Sequence, residues 1–189
     1  MQRKEHITQE GLLTILCLRT SLNLGLSEGL KSAFPNIMPV IRPIVENIAV
    51  PHGEWLAGFT SGEGCFFVFI SKSLTHALGF RVQLVFQITQ HSRDKILIES
   101  LISYLGCGRL VSSSDGKVQF RVEKFSYNLE KIMVFFLSHK IRGVKSEDFK
   151  DWSEVAKLMR GGEHLTPEGL DKIVKIKAGM NKGRAKFFI

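Results

Sequence analysis

Glu63 stands between Gly62 and Gly64 at the end of Trp55–Gly64, WLAGFTSGEG, which reads as a short helix over Glu54–Ser61. A carboxylate at a helix C-terminus faces the negative end of the macrodipole, so its position there points to a task such as holding a cation. On the same helix Gly58 and Gly62 lie four residues apart on one face, with Ala57 and Ser61 beside them. Small residues at this spacing let two helix backbones approach closely. Ala57, Gly58, Ser61 and Gly62 are therefore a candidate interface, the plainer alternative being a helix packed on its own sheet. Other chemistry-bearing patterns are weak. Gly106-x-Gly108 lacks the third glycine and preceding strand of a dinucleotide site, and His91 has no His or Cys spaced for zinc. Cys17, Cys65 and Cys107 are odd in number and far apart, which predicts buried thiols in a reducing compartment.

The elements that must position these residues follow from periodicity. Cys65–Lys72 and Phe80–Thr89 are rich in Phe, Val and Ile and read as two long strands, joined at a polar loop ending in Gly79. Ser92–Tyr104 reads as a capped amphipathic helix closed by Gly106-Cys107-Gly108. A second hairpin, Arg109–Ser113 and Lys117–Glu123, turns at Asp115-Gly116. Three helices are predicted after it, over Ser126–Leu137, Ser146–Met159 and Thr166–Met180. The expected order is α-β-β-α-β-β-α-α-α.

The segment preceding this unit is a partial repeat of its end. Residues 5–25, EHITQEGLLTILCLRTSLNLG, return as residues 163–183, EHLTPEGLDKIVKIKAGMNKG. Nine of the 21 positions are identical, at Glu5, His6, Thr8, Glu10, Gly11, Leu12, Ile15, Asn23 and Gly25. Each copy has a Thr able to cap a helix, the second adds Pro167 at the first helical position, and each closes on a C-cap-like glycine. The expected organisation is a tail helix of a missing preceding unit over 1–25, a linker over 26–50 and a complete unit over 51–189. Pro35, Pro39, Pro43 and Pro51 make an extended linker the expectation. Arg3 and Lys4 before Leu12–Leu18 imitate a secretory signal, but Arg19 cuts the apolar run short, and Glu5 and Glu10 are unlike a transit peptide. No cleavable address is expected.

A chain of 189 residues with 44% hydrophobic and 23% charged residues suits one principal globular domain and excludes a mainly disordered one. Charges interrupt every long apolar stretch, so no membrane partner is expected. Lys and Arg number 26 against 18 Asp and Glu, a net charge of +8, so the surface should attract polyanions, with nucleic acid foremost.

Leu56-Ala57-Gly58-Phe59-Thr60-Ser61-Gly62-Glu63-Gly64 resembles the LAGLIDADG motif of homing endonucleases. The likeness extends over about Trp55–Gly183. Phe86–Gln90 resembles the family's second-strand segment, Gly106–Gly108 its helix-to-strand junction, and Gly143-Val144-Lys145 with Asp148-Phe149 its later basic segment. Met180-Asn181-Lys182-Gly183-Arg184 resembles the close of the fungal-mitochondrial, two-unit type. The resemblance implies an α+β fold, an antiparallel four-stranded saddle sheet with helices on one face, lying in the DNA major groove. It implies two motif helices packed together, each contributing one acid. By position, Glu63 would hold Mg²⁺ at a scissile phosphate, Gln90 would orient water, and Lys145 would stabilise charge developing on the phosphate.

Strand alternation sends one set of side chains to the groove. On the second strand that set is Arg81, Gln83, Gln87 and Thr89, interrupted by Val85. On the first it is Cys65, Phe67, Phe69, Ser71 and Ser73, with Lys72 reaching for backbone phosphate. Arg and Gln can read guanine and adenine edges, whereas Phe69 departs from the family by putting a ring where a polar base-reading group is expected. Arg109, Lys117, Gln119 and Arg121 extend the contact face, with their facing unassigned.

One unit carries one motif acid, whereas cutting both strands of a duplex takes two active sites. The chain would pair with itself as an isologous dimer, or with a separate N-terminal half. A non-cutting relic that binds structured RNA, as an intron maturase or ribosomal component, is the alternative reading. The family implies action in the mitochondrion or another organelle.

Overall fold

The structure, a computed structural model, describes residues 4–22, 25–41 and 49–187. The chain divides into two compact units, Met1–Asn47 and Ile48–Ile189.

In the first unit a 3₁₀ turn, Glu5–Ile7, leads into α1 (Gln9–Thr20). Thr8 caps α1. Its Oγ1 accepts a hydrogen bond from the Gly11 N–H at 3.1 Å and donates to the Glu5 carbonyl at 2.7 Å. A Cβ on Gly11 would lie 1.8 Å from that carbonyl oxygen, so the turn requires glycine there. The linker is not wholly extended as expected. Residues 28–33 form α2 (Glu28–Ala33), with an i,i+3 ion pair between Glu28 and Lys31. The prolines exclude helix only at and just before their own positions, and Pro35 leaves these six residues free to coil. Asn23 and Pro43 lie outside the described residues.

The second unit has the expected element order. It comprises α3 (Gly53–Glu63), β1 (Gly64–Lys72), β2 (Phe80–His91), α4 (Lys95–Leu105), β3 (Arg109–Ser112) and β4 (Lys117–Val122). Then α5 (Phe125–Tyr127) passes through a π turn, Asn128–Ile132, into α6 (Met133–Ser138), followed by α7 (Val144–Arg160) and α8 (Pro167–Ala178). The strands form one antiparallel sheet in the order β1-β2-β4-β3.

Alternation along the strands decides which face the helices cover. Phe66 and Val68 of β1, Val82, Leu84, Phe86 and Ile88 of β2, and Val118, Phe120 and Val122 of β4 are all buried in one core. Helices supply the other half of that core, including Leu56, Ile98, Leu101, Phe136, Trp152 and Val155. Phe66 is its hub, stacked on Phe86 at 4.9 Å between ring centroids and edge-on to Phe136 and Trp152 at 5.6 and 5.5 Å. Buried Asn128, in the π turn, donates from Nδ2 to the Leu84 carbonyl at 2.9 Å. It thereby satisfies a backbone acceptor just past the point where the β2–β4 ladder ends.

The repeat recurs in three dimensions. A 3₁₀ turn, Glu163–Leu165, precedes α8, and the Thr166 Oγ1 accepts from the Gly169 N–H at 3.1 Å and donates to the Glu163 carbonyl at 2.9 Å. A Cβ on Gly169 would lie 2.0 Å from that carbonyl, matching Gly11. The expected closing glycines are not the caps. α1 ends at Thr20 with Ser21 as its C-cap, and α8 ends at Ala178 with Gly179. Gly183 lies inside a following 3₁₀ segment, Asn181–Phe187, where a Cβ would meet the Ala178 carbonyl at 2.0 Å.

Candidate nucleic-acid interface and motif acid

The motif helix is built to deliver its last residue to the end of the sheet. His52 caps α3, its Nδ1 accepting from the Trp55 N–H at 3.1 Å. Gly53 is buried at the entry, where a Cβ would lie 2.1 Å from His139 Nε2. Leu56, Ala57 and Thr60 face the core, and the chain leaves α3 directly into β1 at Gly64. Gly64 has ordinary extended backbone; its lack of a Cβ serves the close approach to Thr60, whose Cγ2 and carbonyl oxygen would lie at 2.4 and 2.6 Å.

The expected interface is corrected at one position. Ala57 is only 1% exposed and belongs to its own unit's core, because the covered face of α3 runs through Leu56, Ala57 and Thr60. Gly58 and Gly62 lie on the other face, both exposed, and a Cβ on either meets nothing within 4 Å. Ser61 is half-buried at the margin. Its hydroxyl donates to the Ala57 carbonyl at 2.8 Å and accepts from the Arg142 N–H at 3.2 Å, tethering the approach to α7 onto the last turn of α3.

Glu63 is exposed and its side chain has no hydrogen bond or ion pair with any described residue. Gly64 pairs with Ile88, so Gln90, two residues further along β2, lies at the same end of the sheet. Lys145, half-buried in the first turn of α7, has no ion-pair partner among the described residues, and its charge bears on the Cys65 thiol. Burial pushes that thiol above its ordinary 9.0; Lys145 opposes the shift and Asp148 adds to it. The expected trio lies on adjoining elements: Glu63 at the α3–β1 junction, Gln90 near the end of β2 and Lys145 in the first turn of α7, which packs on β1.

Below this corner, Asn181 donates its N–H to Asp148 at 2.9 Å and its Nδ2 to the Phe66 carbonyl at 2.9 Å. Arg184 pairs with Asp148 at 3.1 Å and with Asp151. Sequence reasoning missed this clasp: Asp148 lies in the charged run Lys145–Asp151, and only its burial in the fold sets it apart from the neighbouring acids.

On the face opposite the helices, the register lays out transverse rows. Thr89 pairs with Gln119, which pairs with Val111; Cys65 pairs with Gln87, Gln87 with Arg121, and Arg121 with Arg109. Phe67 pairs with Val85, Phe69 with Gln83, and Ser71 with Arg81. The facing of β3 and β4, unassigned from sequence, is thereby settled, with Arg109, Lys117, Gln119 and Arg121 on the open side. Ser73 lies past β1, its hydroxyl bound to Thr75 and to His76 Nδ1 at 3.1 and 2.8 Å in the hairpin loop. Lys72 ends β1 exposed, and Lys117 is paired with Asp115. Glu123 is a further missed residue. It binds Arg109 Nη2 at 2.6 Å and Arg121 Nε at 3.1 Å, holding both guanidiniums on the open face.

A family model described as LAGLIDADG endonuclease matches residues 56–156, more than half of the chain. The chain belongs to the LAGLIDADG endonuclease family. It is 39% identical over 203 residues to the probable intron-encoded endonuclease 2 of Neurospora crassa, covering 96% of this chain and 43% of that protein. The I-SmaMI LAGLIDADG homing endonuclease bound to cleaved DNA superposes with a TM-score of 0.95 at 49% identity. That match covers 97% of this chain and 62% of I-SmaMI. I-SmaMI bound to uncleaved DNA in the presence of calcium ions gives a TM-score of 0.93 at 48% identity, over 96% of this chain and 62% of that one. The chain therefore spans less than two thirds of the relatives it matches. The α+β fold with a four-stranded antiparallel sheet is that of LAGLIDADG homing endonucleases.

Proposed function

We propose that this chain is half of a site-specific, double-strand DNA endonuclease. The open sheet face lies in the major groove, and Glu63 supplies one of two motif acids to Mg²⁺ at the scissile phosphates. The observation that carries the reading is the pairing of an uncommitted carboxylate, Glu63, with a glycine ridge, Gly58 and Gly62, beside which there is open space.

The donor set fits Mg²⁺ on these terms. No group of three or more His, Cys, Asp or Glu able to hold a metal occurs among the described residues. Mg²⁺ is commonly held by one or two carboxylates plus substrate phosphates and waters, so one hard oxygen donor per unit suits it. When bound there, the ion would supply electrostatic stabilisation to the attacking and leaving oxygens. Gln90, at the adjoining strand end, orients a water by its amide. Lys145 presents its ammonium to the phosphate, contributing preorganised charge stabilisation in a partly desolvated place.

The second unit packs on the Gly58/Gly62 ridge, either as another copy of this chain or as a separate N-terminal half. Support comes also from the repeat. Ile173 of α8 is fully buried, whereas Ile15, its counterpart on α1, is 41% exposed, as is Leu12. A unit of the same kind would cover α1 as α7 and the rest of the core cover α8. The intron-encoded relative fits an organellar, mitochondrial place of action.

The test is mass in solution, alone and with duplex DNA selected by binding from a random pool, followed by cleavage with Mg²⁺. Two units per duplex and Mg²⁺-dependent cutting are expected, with cutting lost and binding kept in Glu63→Gln. Undiminished cutting by Glu63→Gln, or retention of structured RNA with no duplex bound or cut, would overturn the reading.

A further inference from the structure

β1 places two phenylalanines on the open face, one row apart. Phe67 is half-buried, with the Arg121 guanidinium carbon 5.9 Å from its ring centroid. Val85, paired with Phe67, is fully buried although it lies on the open face outside the helix-covered core, so its cover comes from side chains on that face. Phe69 stands in the next row beside Gln83 and remains 50% exposed. The result is an apolar step, part covered and part open, set between Arg81, Gln83, Gln87 and Arg121.

Such a ring is not needed for the core, which Phe69 does not touch by its strand parity. On a face that also carries the guanine- and adenine-reading types Arg81, Gln83, Gln87 and Arg121, it matches the one apolar group on the major-groove edge, the pyrimidine C5-methyl. The spacing also fits. Same-face residues along a strand recur every ~6.7 Å, while stacked bases recur every ~3.4 Å, so successive rows fall about two base pairs apart.

Resting on the reading of the open face as a DNA surface, we infer that Phe69 is a specificity-determining residue. It selects a pyrimidine C5-methyl at one position of the target half-site, while the neighbouring rows read base edges by hydrogen bonds. The methyl is that of thymine or of 5-methylcytosine.

The experiment starts from duplexes enriched by the full chain. At the position where thymine is enriched, replacing it by deoxyuridine removes the methyl and nothing else, and affinity should fall about fourfold. Cytosine and 5-methylcytosine at that position form the second arm. A matching gain for the methylated base assigns recognition to the methyl in either pyrimidine, and a gain confined to thymine assigns it to thymine. Phe69→Ser should abolish the difference between thymine and deoxyuridine, and Phe69→Leu should keep it; both remain folded, since the ring lies outside the core. Equal binding of thymine and deoxyuridine at every enriched position, or methyl preference unchanged in Phe69→Ser, overturns this inference and leaves DNA recognition standing. Failure to enrich any duplex removes the DNA reading itself, and this inference with it.

Discussion

Arg109 stands directly across the β3–β4 ladder from Arg121, and the two like charges are held together by Glu123. The Arg109 hydrogen bond, assisted by the charges of both arginines and opposed by partial burial, holds the Glu123 carboxyl below its ordinary 4.5. A carboxyl depressed in the folded state stabilises the fold above its unfolded value, and that contribution is lost as pH falls through the folded one. Glu123→Gln should therefore cost at most about 1 kcal/mol at neutral pH, the pair being largely at the surface. It should also flatten the loss of stability below about pH 4.5. Urea denaturation at pH 7 and in the acid range checks both. In DNA binding, the released arginines should steepen the dependence of log affinity on log salt by about one phosphate contact.

On the proposed two-unit reading, a substitution at a ridge glycine separates folding from assembly. A side chain at Gly58 or Gly62 projects into open space. Gly58→Leu should leave the isolated unit as stable as before or up to about 1 kcal/mol more stable, since glycine weakens a helix interior. Two-unit assembly and cleavage should be lost. Denaturation and sedimentation of the same sample distinguish the effects.

Gly108 should tolerate no side chain. Its φ of +90° is strained for any other residue, and a Cβ would lie 2.4 Å from the Phe120 ring. Gly108→Ala should destabilise the second unit by about 3 kcal/mol, combining backbone strain with overpacking. Gly79→Ala carries only the φ cost and should be milder, which thermal unfolding of the pair will show.

The Cys65 thiol reports on Lys145. Lys145 favours the thiolate and Asp148 disfavours it, against a larger upward push from burial. Lys145→Met should raise the thiol pKa further and slow alkylation of Cys65 at pH 8, because the thiolate is the reactive form. Asp148→Asn should speed it. Residue-resolved mass spectrometry of alkylation follows Cys65 apart from Cys17 and Cys107.

Much of the architecture was legible from residue order, because local chemistry acts over a few residues. The strand alternation of Val82, Leu84, Phe86 and Ile88, the Asp115-Gly116 turn and the Thr8 and Thr166 caps each express a preference that near neighbours complete. The motif segment Leu56–Gly64 likewise marks the helix that forms over Gly53–Glu63. What adjacency could not reveal was anything depending on partners remote in the chain. Ala57 neighbours Gly58 in the chain, yet one step around α3 turns it into the core. The register brings Arg109 beside Glu123 from fourteen residues away. The facing of β3 and β4 and the Asn181–Asp148 clasp arise from packing of distant segments. Sequence by itself determined which residues could act and on which kind of element they lie; tertiary structure alone decided which share a face, because hydrogen-bond register and burial are properties of pairs of elements.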